Sequence, residues 1–399
     1  MTTRKNKKLV IGLYGFGVVG QGLHEVLQEV QTAEARIKTI CIKDPNKVRA
    51  VEDEIITTDT NEIINDEEIN LVVELIDDAD AAYEIVKKSL LAGKSVVSGN
   101  KKMLAYHLSE LVEIQEETGS ALLYDASACG SIPVIRNLEE YYDNDLLQAI
   151  TGILNGSSNY ILTKIFNEDM AYEDALLKAQ ELGFAESNPV FDVEGYDSLY
   201  KSVILALHGF GTIVNPDEVF NYGISNMKSF DVRFAKEKGS RIKLVAEIRK
   251  LPENKFSLFV IPRLVKPDEY IYNVDDEYNG VVVQGQFYDK QFLFGKGAGG
   301  HPTGSSVLSD ITARTHNYRY EYKKRNFYQQ PDYSRDHLVE VYLRYKDVVD
   351  LSHFDFENIT EKYTGPEYNY VVGKISIDNL YRIRKLLSKM NVFLAATGL

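Results

Sequence analysis

The stretch GFAESNPVFDVEGYDSLYK, residues 183–201, gathers Glu186, Asp192, Glu194, Asp197 and Lys201. Carboxylates and an ammonium so close together are the material of a polar site wall, and equally of a solvated loop running into a helix. Asp197 stands four residues before Lys201, so on a helix both side chains face the same way. Taken locally, that pair is a surface ion pair worth well under about 1 kcal/mol. A second string, Gly15-Phe16-Gly17-Val18-Val19-Gly20, fits G-x-G-x-x-G. Its first glycine permits a tight turn, its second lets backbone approach a pyrophosphate, and its third lets a helix pack close to a strand. The helix that follows offers N–H groups and positive potential to the phosphates. An apolar run precedes this string and a patterned helix follows it, so it reads as a dinucleotide-binding turn.

Which dinucleotide depends on the end of the second strand, CIKDPNKVR. An acidic residue there binds a ribose 2′-hydroxyl, and a basic one suits a 2′-phosphate. Lys43 and Asp44 offer both, and Lys47 and Arg49 behind them tilt the balance toward NADP over NAD. The same charges also suit an ordinary surface loop.

Three further strings carry polar groups to helix entries. SGNKKMLAYH follows an apolar strand, placing Asn100 and Lys101 at the carboxyl end of the sheet, where doubly wound folds bind ligands. A solvated, helix-initiating turn reads equally well. LNGSSNYIL puts Asn155, Gly156, Ser157 and Ser158 ahead of a helix starting near Asn159, an arrangement suited to holding a carboxylate or to plain N-capping. FGKGAGGHPTGSSVLSD is a second glycine-rich helix entry, suggesting that both glycine turns face one bound cofactor. His301 within it reads as a loop histidine.

The elements behind these strings define the fold. KLVIGLYG, RIKTICIK, NLVVELI, KSVVSG and SALLYDAS read as strands separated by amphipathic helices, which implies parallel β-α-β units. After about residue 130, helices give way to RIKLVAEIRK, KFSLFVIPRLV, NGVVVQGQFYD and KQFLFGKG, strands in succession that favour an antiparallel or mixed sheet. The expected fold is α/β: an N-terminal doubly wound Rossmann sheet over 1–135, to which a helix near 303–320 returns, and an α+β domain over 136–302. A small C-terminal ββα-type appendage over 330–399 completes it.

The composition, 44% hydrophobic and 26% charged over 399 residues, is that of a globular chain with two or three domains. A net charge of −14 argues against a broad nucleic-acid surface. The two cysteines, Cys41 and Cys129, have no metal-ligand spacing and suggest a reducing compartment. With no apolar run of the roughly 18 residues a membrane span needs and no cleavable leader pattern, the expected location is the cytoplasm.

Taken together and in order, GFGVVG, GNK, DASACGSIPVI, NGSSNYILT, LGFAESNPVFDVEGYDSLYK and GKGAGGHPTGSSVLSD resemble homoserine dehydrogenase over about residues 8–320. The resemblance implies reduction of L-aspartate 4-semialdehyde to L-homoserine with NAD(P)H, on the route to threonine, methionine and isoleucine. It also implies a homodimer whose second domain supplies substrate site and dimer interface. Lys201 matches the family's catalytic lysine, Lys101 the lysine beside nicotinamide and substrate, and Glu186 and Asp197 the substrate-holding acids. Gly183 and Gly299 match glycines whose backbones approach the cofactor, and Ser157 keeps the hydroxyl of the family's usual threonine. The family's sodium site, built from a glutamate and backbone carbonyls, maps onto Asp125, Ala128, Gly130 and Ile132, with the acid one methylene shorter. Asp77 and Asp78 depart from the family's glycine-bearing turn. The tail has room for only part of the ACT-type regulatory pattern that many relatives carry. The competing readings are another NAD(P)-dependent oxo-acid dehydrogenase and a cofactor-sensing regulator without catalysis.

Overall fold

The computed structural model describes residues 8–30, 34–47, 51 and 55–398; Arg49 of the basic cluster lies outside them. The chain forms two compact units, Met1–Tyr141 with Lys296–Tyr322, and Tyr142–Gly295 with Lys323–Leu399. No helix among the described residues is long and apolar enough to cross a membrane.

The first unit holds β1 (Leu9–Tyr14), β2 (Ala35–Cys41), β3 (Ile56–Thr57), β4 (Leu71–Glu74), β5 (Ser95–Ser98) and β6 (Leu122–Leu123). All are parallel, in the order β3-β2-β1-β4-β5-β6, the doubly wound arrangement expected from alternating strands and helices. Every residue of β4 and β5 is buried, which is why these strands read as continuous apolar runs. SALLYDAS is less regular than expected: the two-residue β6 gives way to a single 3₁₀ turn, Asp125–Ser127. The helix Gly300–Thr315 belongs to this unit and lies against Val18–Glu29. A Cβ on Gly22 would stand 2.2 Å from the carbonyl carbon of Gly300, so only glycine permits this approach.

The second unit is one mixed sheet. Its strands are β7 (Leu147–Ile153), β8 (Phe220–Asn221), β9 (Arg241–Leu251), β10 (Lys255–Val265), β11 (Tyr278–Gly285), β12 (Asp289–Lys296), β13 (Asp332–Tyr333), β14 (Leu338–Tyr345), β15 (Asn358–Thr364), β16 (Asn369–Ser376) and β17 (Phe393–Gly398). Their order is β12-β11-β7-β9-β10-β17-β14-β16-β15, with β8 and β13 also pairing with β10. The helix Tyr196–Phe210 is buried at every position but Tyr196, its polar Asp197, Ser198, Lys201, Ser202 and His208 included.

The tail departs from the expected two strands and one helix. It runs β14, the short helix Val348–Leu351, β15, β16, the helix Ile377–Leu387, β17. Its strands lie in the order β17-β14-β16-β15 with every neighbour antiparallel, the complete split β-α-β-β-α-β arrangement. β15, NITEKYT, hid its identity because nearly every residue is exposed; an edge strand is kept charged and lacks apolar alternation. The tail's sheet meets β10 through β17 in a parallel pairing, Arg263 opposite Ala396. A buried cluster also ties the tail to the helix Ser229–Glu237. The Asp231 carboxylate accepts from Arg344 Nε at 2.9 and 3.1 Å and from the Tyr342 hydroxyl at 2.9 Å.

Candidate active site

In the second unit, three of the expected residues are joined directly. Lys201 Nζ donates to Asp197 Oδ2 at 2.6 Å and to the Leu154 carbonyl at 2.7 Å. Asn155 Nδ2 donates to the same Asp197 oxygen at 3.0 Å and to Asp192 Oδ1 at 2.7 Å. Asp197 and Lys201 are only 5% and 7% exposed, so the pair is not the solvated surface bridge that local spacing suggested. Buried charges persist only when paired and hydrogen-bonded, and this pair has both an opposite charge and neutral partners. An ammonium has three N–H donors; two of them meet acceptors among the described residues, and the third has no acceptor there.

The turn at Asn155 begins its helix earlier than expected. The helix runs Gly156–Glu168, and Asn155 is its N-cap, accepting from Ser158 N at 2.7 Å. The N–H groups of Gly156 and Ser157 lie in its first turn, where backbone donors have no intrahelical partner. The Ser157 hydroxyl donates to the Phe184 carbonyl, next to Gly183. Gly183 is left-handed at φ 74° and exposed, and it terminates the helix Tyr172–Glu181. Glu186 is exposed on the same turn, its backbone carbonyl accepting from Gln180 Nε2 at 2.9 Å.

In the first unit, the glycine turn sits at the carboxyl end of β1. Gly15 is left-handed at φ 92°, and a Cβ there would stand 2.5 Å from the Leu75 carbonyl oxygen. A Cβ on Gly20 would stand 2.4 Å from the Gly15 carbonyl oxygen. Both glycines are required by the fold itself. Gly17 differs, since its backbone is extended and a Cβ there would meet nothing within 4 Å. Space kept open beside an exposed helix N-terminus fits a pyrophosphate. Phe16 is buried, Val18 exposed and Val19 half-buried. A Gly17→Val variant should therefore keep the wild-type melting temperature yet bind NADPH at least about tenfold more weakly, about 1.4 kcal/mol, in a fluorescence titration. Unaltered NADPH binding would remove the glycine turn from the cofactor site.

Lys43 and Asp44 are both exposed just past β2, and Asp44 Oδ1 accepts from Asn46 N at 2.9 Å. Lys101 is the first residue of the helix Lys101–Thr118, capped by Asn100, whose Oδ1 accepts from Met103 N at 2.9 Å. Asp77 is exposed, and Asp78 caps the helix Ala79–Leu91 by accepting from Asp80 N and Ala81 N, which accounts for an acid at that departure from the family string. Gly299 precedes the helix Gly300–Thr315 at φ 124°, a conformation close to glycine's alone. His301 is paired with Glu25 on the surface.

The loop after β6 buries Asp125 among hydrogen-bond partners. Asp125 Oδ1 accepts from Arg136 N at 3.1 Å, and Asp125 N donates to Asp310 Oδ2 at 2.9 Å. Arg136 in turn pairs with Asp310. The Ile132 carbonyl accepts from Val134 N at 2.8 Å. Cys129 and Gly130 are both left-handed, at φ 60° and 56°. Among the described residues no group of three His, Cys, Asp or Glu side chains is arranged to hold a metal, so a cation here would need backbone carbonyls such as those of Ala128 and Gly130 beside the Asp125 carboxylate.

Sequence reasoning passed over three residues. Asp192 carried no role, yet it is bonded to Asn155. Asn279, wholly buried, donates to the same Leu154 carbonyl that Lys201 uses, at 3.0 Å, and its Oδ1 has no hydrogen-bond partner among the described residues. Glu74 is wholly buried at the end of β4, and burial pushes its carboxyl up to about 7. Only Glu74 left a visible signal, an acid inside an apolar strand.

A family model described as homoserine dehydrogenase matches residues 133–312, and one described as homoserine dehydrogenase, NAD binding domain, matches residues 15–125. The chain is 38% identical over 312 residues to the homoserine dehydrogenase of Helicobacter pylori, covering 76% of this chain and 73% of that one. It is 35% identical over 322 residues to that of Bacillus subtilis, covering 78% and 74%. Among solved structures, a homoserine dehydrogenase from Thiobacillus denitrificans superposes with a TM-score of 0.86 at 27% identity, covering 99% of each chain. A hyperthermophilic archaeal homoserine dehydrogenase in complex with NADPH superposes with a TM-score of 0.69 at 26% identity, covering 79% of this chain and 99% of that one.

Proposed function

This chain belongs to the homoserine dehydrogenase family, and on that premise we propose that it reduces L-aspartate 4-semialdehyde to L-homoserine on the route to threonine, methionine and isoleucine. A reduced nicotinamide, when bound, supplies the hydride. The chain's own residues supply geometry and the proton. Lys201 donates a proton to the alkoxide that develops on the aldehyde oxygen and stabilises its charge. Asp197 and the Leu154 carbonyl hold the lysine in place. The observation that carries this role is the third Lys201 N–H, which has no acceptor among the described residues while the other two are fixed. Asp197 and Glu186 hold the substrate's ammonium or hydroxyl. Its carboxylate is received at the helix entry by Asn155, Gly156 and Ser157, where the first-turn N–H groups and the helix dipole favour an anion.

The nucleotide is held by the turn from Gly15 to Gly20, with Gly183 and Gly299 lending backbone and Lys101 standing at the nicotinamide end. NADP is favoured over NAD because Lys43 leaves β2 where a 2′-phosphate would lie. A sodium ion is assigned to Asp125 with the carbonyls of Ala128, Gly130 and Ile132, and the resemblance is its main support. The working assembly is a homodimer on the same ground.

Mixing the protein with aspartate semialdehyde and either NADPH or NADH, and following reduced-nicotinamide absorbance, tests the reaction and the preference together. NADPH should be consumed faster. Lys43→Glu should lower kcat/KM with NADPH by about tenfold, near 1.4 kcal/mol of lost charge pairing, and leave NADH little changed. Folded protein that consumes neither cofactor at any pH tried would sink the reading. Replacing sodium by choline in the same assay reads the cation.

A further inference from the structure

Glu74 stands where an apolar residue would pack at no electrostatic cost. It ends β4 with Tyr14 of β1 opposite it on one side and Ser98 of β5 on the other. Its two oxygens are each used once by a different turn. Oε1 accepts from Ile76 N at 2.8 Å, and Oε2 accepts from the Ser98 hydroxyl at 2.5 Å. Ser98 Oγ accepts from Asn100 N at 3.2 Å, and Asn100 Nδ2 donates back to the Ile76 carbonyl at 3.0 Å. Glu74, Ser98, Asn100 and Ile76 thus close a ring of hydrogen bonds across the carboxyl edge of the sheet. One side of the ring sets the Asn100 cap and so the helix that begins at Lys101. The other sets the turn of Leu75 and Ile76, whose carbonyl oxygen at Leu75 lies against Gly15.

We propose that Glu74 is a positioning residue for the reaction, fixing through Ser98 and Ile76 the two turns that carry Lys101 and back the glycine turn. The proposal rests on the reading of Lys101 and the glycine turn as parts of the nucleotide site. A carboxyl suits the task because it accepts from two donors at once. A buried network with every member satisfied holds one geometry. Small displacements matter here, because misplacing reacting groups by about 1 Å can lower a rate about 100-fold.

The tests are Glu74→Ala, Glu74→Gln and Ser98→Ala, measured as folded protein for NADPH dissociation constant by fluorescence and for kcat and KM with aspartate semialdehyde. Glutamine keeps an acceptor for Ile76 N and offers an amide N–H to Ser98 Oγ. Glu74→Ala and Ser98→Ala should weaken NADPH binding or lower kcat by about tenfold or more, and Glu74→Gln should restore most of both. A purely structural Glu74 would change the melting temperature and leave kcat and the dissociation constant of the folded enzyme alone; that outcome overturns the proposal. A glutamine variant as defective as alanine also overturns it, since the ring would then not be what matters. If Glu74→Ala does not fold, Ser98→Ala decides by the same two readouts. Lys101→Ala, run alongside, separates the proposal from its premise. A silent Lys101→Ala refutes the reading of Lys101, while a shifted NADPH dissociation constant in Glu74→Ala still supports the role of Glu74 at the glycine turn.

A pH series adds a check on sign. Burial, then the nearby charge of Asp77, raises the Glu74 carboxyl to about 7 from 4.5, while Ser98 and Ile76 N pull it down and Tyr14 faces it uncharged from β1. Its contribution to stability is therefore full below about 4.5 and lost as pH rises through about 7. The melting temperature of the wild type should fall relative to Glu74→Gln across that window.

Discussion

Lys201→Gln should lower kcat by about 100-fold or more, within the range of about 10² to 10⁴ that a positioned general acid contributes, while NADPH titration should stay near wild type. Glutamine is the sharper choice over alanine. Its amide N–H₂ can still donate to the Leu154 carbonyl and Asp197, so the two hydrogen bonds that hold Lys201 keep a donor, while the transferable proton is gone. Lys201→Ala should be at least as inactive and also less stable. Both variants remove the counter-charge of Asp197, 5% exposed, at up to about 3–5 kcal/mol for a broken buried pair, but alanine also leaves its oxygen without the donor that glutamine keeps. Comparing the two separates chemistry from folding. A folded Lys201→Gln enzyme with more than about a tenth of wild-type kcat, a loss under about 1.4 kcal/mol, would reassign the proton to another group.

Asp231→Ala is the largest expected loss of stability. Asp231 is wholly buried and Arg344 is 3% exposed. Beyond the Arg344 and Tyr342 bonds, the carboxylate accepts from Lys228 N at 2.7 Å, and Arg344 Nη2 reaches the Asn226 carbonyl at 2.9 Å. Truncating the acid strands a guanidinium in the interior, for about 3–5 kcal/mol and on the order of 10 °C in melting temperature for a unit of this size. The double variant Asp231→Leu with Arg344→Met should recover much of that loss, because replacing a whole buried pair by apolar groups is often neutral. Denaturant melts of both variants measure this. A loss under about 1 kcal/mol, the typical effect of a point mutation, would mean that the tail is held by its strands alone.

Local pattern carried the first unit well. Gly15 to Gly20 and the alternation of apolar strands with amphipathic helices imply the parallel order found, because a β-α-β crossover leaves little topological choice. It carried the second unit poorly. That β17 would lie between β10 and β14 is a fact about residues about fifty positions apart on one side and more than a hundred on the other, and no local period records it. β15 was hidden by its charges. At the site, residue types were legible and burial was not: Asp197 and Lys201 have the spacing of a surface pair, and only the packing of the helix Tyr196–Phe210 takes them inside. Glu74 was in view as the one acid in LVVE, but its meaning required knowing that β4 lies between two neighbours and has no solvent face.

The placement of Gly300–Thr315 has a consequence for the order in which the protein is made. The first unit's helix Val18–Glu29 is covered by a segment that follows β12, after about 150 residues of the other unit have intervened. A nascent chain released as far as Tyr141 therefore shows the ribosome-side world an unfinished surface at Gly22. Synthesis at about 5–20 residues per second leaves that surface open for roughly ten to thirty seconds until Thr315 emerges. The first unit is thus begun before the second and completed only after most of the second has been made, so its first helix waits for Gly300–Thr315 with its glycine-bearing face uncovered.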